Sequence, residues 1–155
     1  MEASLSADRA PRPASRMSWE SRRMAGIVLV ILPTVIFGGV SILSLLIGND
    51  EYMANPLRQD LWRAGHAHAG VLLVLALVAL RYVDEANLSA PWRSFARVAF
   101  PAAALLLPIA FFLSVLSPDA TEPNALIALA YVGAVVLVAG LLVLGVGLLR
   151  ARDES

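Results

Sequence analysis

Long apolar runs alternate with short polar links along this chain, and none of the runs shows the every-second-residue alternation of a barrel strand. Four runs stand out, at 24–48, 62–82, 97–116 and 124–149. Each reaches or approaches the roughly 20 residues that a hydrocarbon core of about 30 Å asks of a helix. A backbone in lipid must satisfy its own hydrogen bonds, so helices are the conformation expected. The pattern therefore predicts an all-α polytopic membrane protein with four transmembrane helices in an up-down bundle over 24–149. A disordered cytoplasmic tail is expected over 1–23, where Pro, Ser, Ala and Arg dominate, and a short cytoplasmic tail over 150–155.

Local signals refine the pattern. Asn55 followed by Pro56 reads as a helix N-cap and first turn, so the second helix is expected to begin at Pro56 and run to about Val83. Trp62 and Tyr82 then suit the two aromatic belts. The first span carries Pro33 followed by Phe37-Gly38-Gly39, which predicts a kink or a close helix contact. The very short link Ser117–Pro123 makes the third and fourth spans antiparallel neighbours. In the fourth span, Gly133, Gly140 and Gly147 recur every seventh residue, predicting a small-residue seam against a partner helix.

Charge adds orientation. Arg9, Arg12, Arg16, Arg22 and Arg23 precede the first span, Arg81, Arg93 and Arg97 flank the second link, and Arg150 and Arg152 follow the last span. Only Arg58 and Arg63 fall on the other side. By the positive-inside rule both termini are expected to be cytoplasmic, and the expected location is a bacterial-type plasma (inner) membrane. The 12 basic residues are all arginine and balance 12 acids, so nothing in the charge balance points to nucleic acid. There is no cysteine, which removes disulfides, thiolate nucleophiles and iron–sulfur clusters from consideration. With 59% hydrophobic and 15% charged residues, the composition agrees with the lipid bilayer as the principal partner.

Candidate chemistry concentrates at one place, Arg63-Ala64-Gly65-His66-Ala67-His68-Ala69-Gly70, which holds both histidines of the chain. At about 100° per residue, His66 and His68 diverge by about 200° and cannot share one ion from a regular helix. The small residues Gly65, Ala69, Ala76 and Ala79 mark one face of the helix. His68 is expected nearer that tight contact, and His66 is expected to face another neighbour or a cavity. Imidazole within a membrane can ligate metal or haem, relay protons or sense pH, and it can equally act as interhelical glue. Arg63 and Asp60 stand beside the pair, and Asp50, Glu51 and Met53 lie in the preceding link as further candidate ligands. Thr34, Ser41, Ser44 and Ser114 have no adjacent base and are expected to bond back to their own helices.

The His66-Ala67-His68 helix resembles the H-x-H helix of haem–copper oxidase subunit I and its smaller relatives in nitric-oxide response. That resemblance implies that His66 and His68 each ligate a different centre, haem or copper. The family carries further histidines on other helices, whereas this chain has only these two. The longer string Arg63–Gly70 with four spans looks more like small uncharacterised four-helix bacterial membrane proteins, a likeness that implies architecture and no activity.

Three functions follow as expectations. The first is an accessory or structural bundle assembling with itself or with other membrane subunits. The second is a haem-, copper- or zinc-binding protein using His66 and His68 across a homodimer. The third is a small dimeric transporter, disfavoured because no span contains a carboxylate.

Overall fold

The structure, a computed structural model, describes residues 17–151; of the tails expected over 1–23 and 150–155, residues 1–16 and 152–155 lie outside the described residues. It is all-α, with α1 at Trp19–Gly48, a one-turn α2 at Asp50–Met53, α3 at Pro56–Tyr82, α4 at Ala90–Ser114 and α5 at Ala128–Leu149. A 3-10 turn, Ala125–Ile127, leads into α5. The four long helices are apolar and long enough to cross a membrane.

Caps fix where these helices begin. The Ser18 side chain accepts a hydrogen bond from Ser21 N–H, so α1 starts five residues before its apolar run and takes in Trp19–Arg23, which corrects the expectation that these residues belong to a disordered tail. Asn49 caps α2 by accepting from Tyr52 N–H, and Asn55 caps α3 by accepting from Arg58 N–H with Pro56 at its first position. Asn124 accepts from Leu126 N–H and opens the turn before α5. The helical hydrogen-bonding pattern runs through Pro33 in α1 and through Pro101 and Pro108 in α4.

The bundle is an open row. α1 packs on α3, α3 on α4 and α4 on α5, while α1 meets α4 only sparsely and α1 and α5 do not touch among the described residues. α4 is the most enclosed helix, with Ala96, Phe100, Ala103, Ala104 and Leu107 in the core beside Leu72, Leu73, Ala76 and Leu80 of α3. The outer faces of α1 (Val30, Phe37, Ile47) and α5 (Val135, Leu142, Leu149) are exposed, as lipid-facing surfaces are.

The glycine seam of α5 faces α4. A Cβ at Gly140 would lie 2.9 Å from Ala99 Cβ, and one at Gly133 would lie 2.7 Å from Leu107 Cδ1. Gly147 is closed over by Leu88 and Ala86 of the α3–α4 link.

Both ends of the described chain meet at this link. Ser18 N–H donates to Asp84 Oδ2 at 2.9 Å, and Asn87 N–H donates to Gly147 C=O at 2.9 Å. The two ends of the described chain therefore lie at the same end of the bundle, called here the tail side. Arg97 binds this end together: its guanidinium donates to Asp84 Oδ1 at 2.7 Å, to Ser21 Oγ at 3.0 Å and to Ser18 Oγ at 3.2 Å. One partly buried ion pair thus ties the start of α1, the end of α3 and the first turns of α4.

Burial pushes the Asp84 carboxyl up, but hydrogen bonds from Arg97, Ser18 N–H and the Ser21 and Ser18 hydroxyls outweigh it and hold it below the ordinary carboxylate value. Because the folded value lies below the unfolded one of about 3.9, the carboxylate contributes stability above that pH. The contribution fades as pH falls through the folded value. Asp84→Asn is expected to lose about 1–3 kcal/mol near neutral pH and to show a flatter loss of stability on acidification. Unfolding followed by circular dichroism across the acid range checks this, and an unchanged acid profile in the variant would contradict it.

Candidate functional site

The end opposite the tails, here the loop side, contains the links 49–55 and 115–124. Its organising residue is Arg58, in the first turn of α3 and only 8% exposed. Among the described residues no carboxylate pairs with it. Instead Nε donates to Val115 C=O at 3.2 Å and Nη2 to Leu116 C=O at 3.4 Å, carbonyls left over at the end of α4. The guanidinium carbon lies 4.7 Å from the Trp62 ring centroid and 6.0 Å from that of Tyr52. Trp62 Nε1 donates to Phe112 C=O at 3.3 Å. A cation at a helix C-terminus between aromatic faces is stabilised by the partial negative charge there and by the ring quadrupoles. The Tyr52 hydroxyl is buried beside it without a partner among the described residues, and burial raises its pKa.

Two turns deeper, α3 brings the histidines into the membrane-spanning part of the bundle. His66 faces α1. A Cβ at Gly39 would lie 2.9 Å from His66 Cε1 and 3.0 Å from Nε2, so the imidazole edge rests directly on the α1 backbone. This is the close contact expected at Gly38-Gly39, and its occupant is a histidine. His66 makes no hydrogen bond to any described residue. It also lines a cavity of about 180 Å³ bounded by Thr34, Val35 and Gly38 of α1, Ala69 of α3, and Ala104, Pro108 and Phe112 of α4.

His68 lies on the other side of α3 and is exposed. Its Nδ1 is 2.7 Å from Ala64 C=O, and its ring centroid is 5.2 Å from that of Phe111. A carbonyl only accepts, so Nδ1 carries the proton in this contact, and Nε2 has no hydrogen-bond partner among the described residues. The divergence expected from helix geometry holds, with one correction. His66, not His68, makes the tighter helix contact, because α1 approaches α3 at a glycine pair, and the small-residue face of α3 is filled by α4. Gly65 on that face meets Phe111 and Phe112.

The neighbouring candidates do not join the histidines. Arg63 pairs with Asp60 at 2.8 Å on the surface, with half or more of each side chain exposed, and also donates to Gln59 C=O. Such exposed pairs contribute little. Asp50, Glu51 and Met53 remain in or at the end of the one-turn α2 before α3. No three His, Asp or Glu side chains converge to hold a metal among the described residues. The cavity beside His66 is lined mainly by apolar side chains and is far smaller than a porphyrin. A haem does not fit in this cavity.

The span hydroxyls behave as expected. Thr34 donates to Ile31 C=O, Ser41 to Phe37, Ser44 to Val40 and Ser114 to Phe111. Arg58 and the Thr34–Pro108–Phe112 cavity are what sequence reasoning missed. The i, i+4 spacing of Arg58 and Trp62 could have signalled the first, since it stacks a cation on an indole along one helix face.

The Gly39 contact makes a direct test. Gly39→Ala should cost about 1–3 kcal/mol in the wild-type background, because the added methyl overlaps the imidazole. Much of that cost should vanish in His66→Ala, which a double-mutant cycle of unfolding free energies measures. Additive effects would place the imidazole elsewhere.

No family model, curated protein or solved structure matches the chain.

Proposed function

We propose that this integral membrane protein is an accessory bundle, docking with another membrane helix through the face of α3 and α4 that bears His68 and Phe111. The observation behind this reading is the exposed imidazole of His68, with Nδ1 satisfied by Ala64 and Nε2 without a partner among the described residues. A polar group presented toward lipid is stabilised when a neighbouring helix supplies a partner. The polar contacts of Arg97 and Arg58, one at each end of the bundle, are already made within the chain, which suits a structural role. The partner is either a second copy or a different membrane subunit.

One specific feature favours a second reading, a metal or haem held between chains. A histidine that ligates through one ring nitrogen usually donates the other N–H to a carbonyl or carboxylate, as His68 does to Ala64. Two copies would then contribute one Nε2 each, consistent with what the H-x-H resemblance implies for this position. His66, held against Gly39, has no part in it.

A photo-crosslinker placed at Val71, exposed one turn from His68, tests the docking face in native membranes. Protein adducts are expected there and should fall about three- to tenfold in His68→Ala. The same probe at Val30 on the outer face of α1 should yield lipid adducts. Lipid adducts alone at Val71 would contradict the reading. Haem or stoichiometric copper or zinc in the purified protein, lost in His68→Ala and kept in His66→Ala, would favour the second reading over the first.

A further inference from the structure

The cavity beside His66 combines three properties that a packing gap does not need. Its volume of about 180 Å³ exceeds what a single methyl-sized defect leaves. Apolar cavities of about 150 Å³ are large enough to take up benzene. Its mouth lies between α1 and α4, which meet only sparsely, where Thr34, Leu105 and Ile109 are exposed on the membrane-facing surface. Its polar contribution comes from an imidazole whose two nitrogens have no hydrogen-bond partner among the described residues, and from the Thr34 hydroxyl, whose proton goes to Ile31 C=O.

Proline shapes one wall. Pro108 has no N–H to offer the carbonyl of Ala104 one turn earlier, and both residues line the cavity. An acyl chain entering from the bilayer would fill the space but leave the imidazole unpaired, which is costly in a medium without water. A ring bearing one oxygen would fill the space and satisfy His66 as donor or acceptor. Phe112 and Leu73 supply apolar surface for such a ring.

We propose that this cavity binds a lipid-soluble, single six-membered ring carrying a hydroxyl or carbonyl oxygen, with His66 as the hydrogen-bonding group. The same chemistry is offered by a free phenol and by the head of a membrane quinone. The site lies on the opposite side of α3 from His68, so it stands whether or not the chain docks through that residue.

Calorimetric titration of the full chain in lipid nanodiscs, with empty nanodiscs as the blank, separates the alternatives. The probes are 2,6-dimethylphenol, m-xylene as its counterpart without oxygen, and a decyl-substituted benzoquinone. Saturable, one-to-one binding of the phenol or the quinone is expected, with m-xylene several-fold weaker than the better of them. His66→Ala should weaken that probe about tenfold, the effect of one hydrogen bond in a dry site. Thr34→Leu at the exposed mouth should block entry without entering the core, which keeps the test decisive if His66→Ala folds poorly. Tighter binding of the quinone identifies the membrane carrier as the source, and tighter binding of the phenol a free small molecule. Absence of saturable binding by both oxygenated probes, equal binding of m-xylene, or binding indifferent to a folded His66→Ala or to Thr34→Leu would overturn the proposal.

Discussion

Close approach of helices at residues without bulky side chains is the constraint on which this structure depends. Lipid gives no hydrophobic reward for bringing two apolar helices together, so dispersion contacts and short interaxial distances must hold them. The chain meets that demand with glycine and alanine at each major interface. Gly140 lies against Ala99, Gly65 against Phe111 and Phe112, and Gly39 against His66. α4, with Ala96, Ala99, Ala103, Ala104 and Ala110 buried, is the helix to which α3 and α5 can come nearest. The open row follows: α3 and α5 occupy the small-residue faces of α4, and α1 is left to pack on α3.

At the two ends, arginines hold what the glycines permit. Arg97 reaches across α1 and the α3–α4 link through Asp84, Ser18 and Ser21. Arg58 has no acid partner among the described residues and uses the carbonyls beyond α4 and two aromatic rings instead. These are different solutions to one problem, the burial of a guanidinium near the edge of a dry region. Both commit charge to architecture. Between them the histidines divide, one packed inward on α1 and one turned outward beside Phe111. The inward ring borders the cavity, and the outward ring stands on the exterior of the bundle.

Much of this architecture can be read from the chain because lipid leaves few options. Run length, Asn55-Pro56, the short link before Pro123 and the sevenfold glycine spacing each translate into one structural feature. The divergence of His66 and His68 also follows from helix geometry alone. What did not follow was which helix each residue would meet. The contact between Gly39 and His66 joins residues on different helices, and no periodicity within either helix encodes it. The early start of α1 was hidden because Trp19–Arg23 is polar, and its Ser18 cap is seen only in the structure. The cavity depends on where three helices fail to meet, which is a property of packing and not of pattern.

The steric account is tested most directly by comparing alanine at two glycines of α5. A Cβ at Gly140 would meet Ala99 Cβ at 2.9 Å, a neighbour that cannot rotate away, whereas one at Gly145 meets nothing within 4 Å. Unfolding free energies in a lipid-like detergent should show Gly140→Ala destabilised by about 1–3 kcal/mol. Gly145→Ala should be unchanged or slightly stabilised. Equal effects at the two positions would mean that α4 and α5 are not held at this distance, and the arrangement built on it would be wrong.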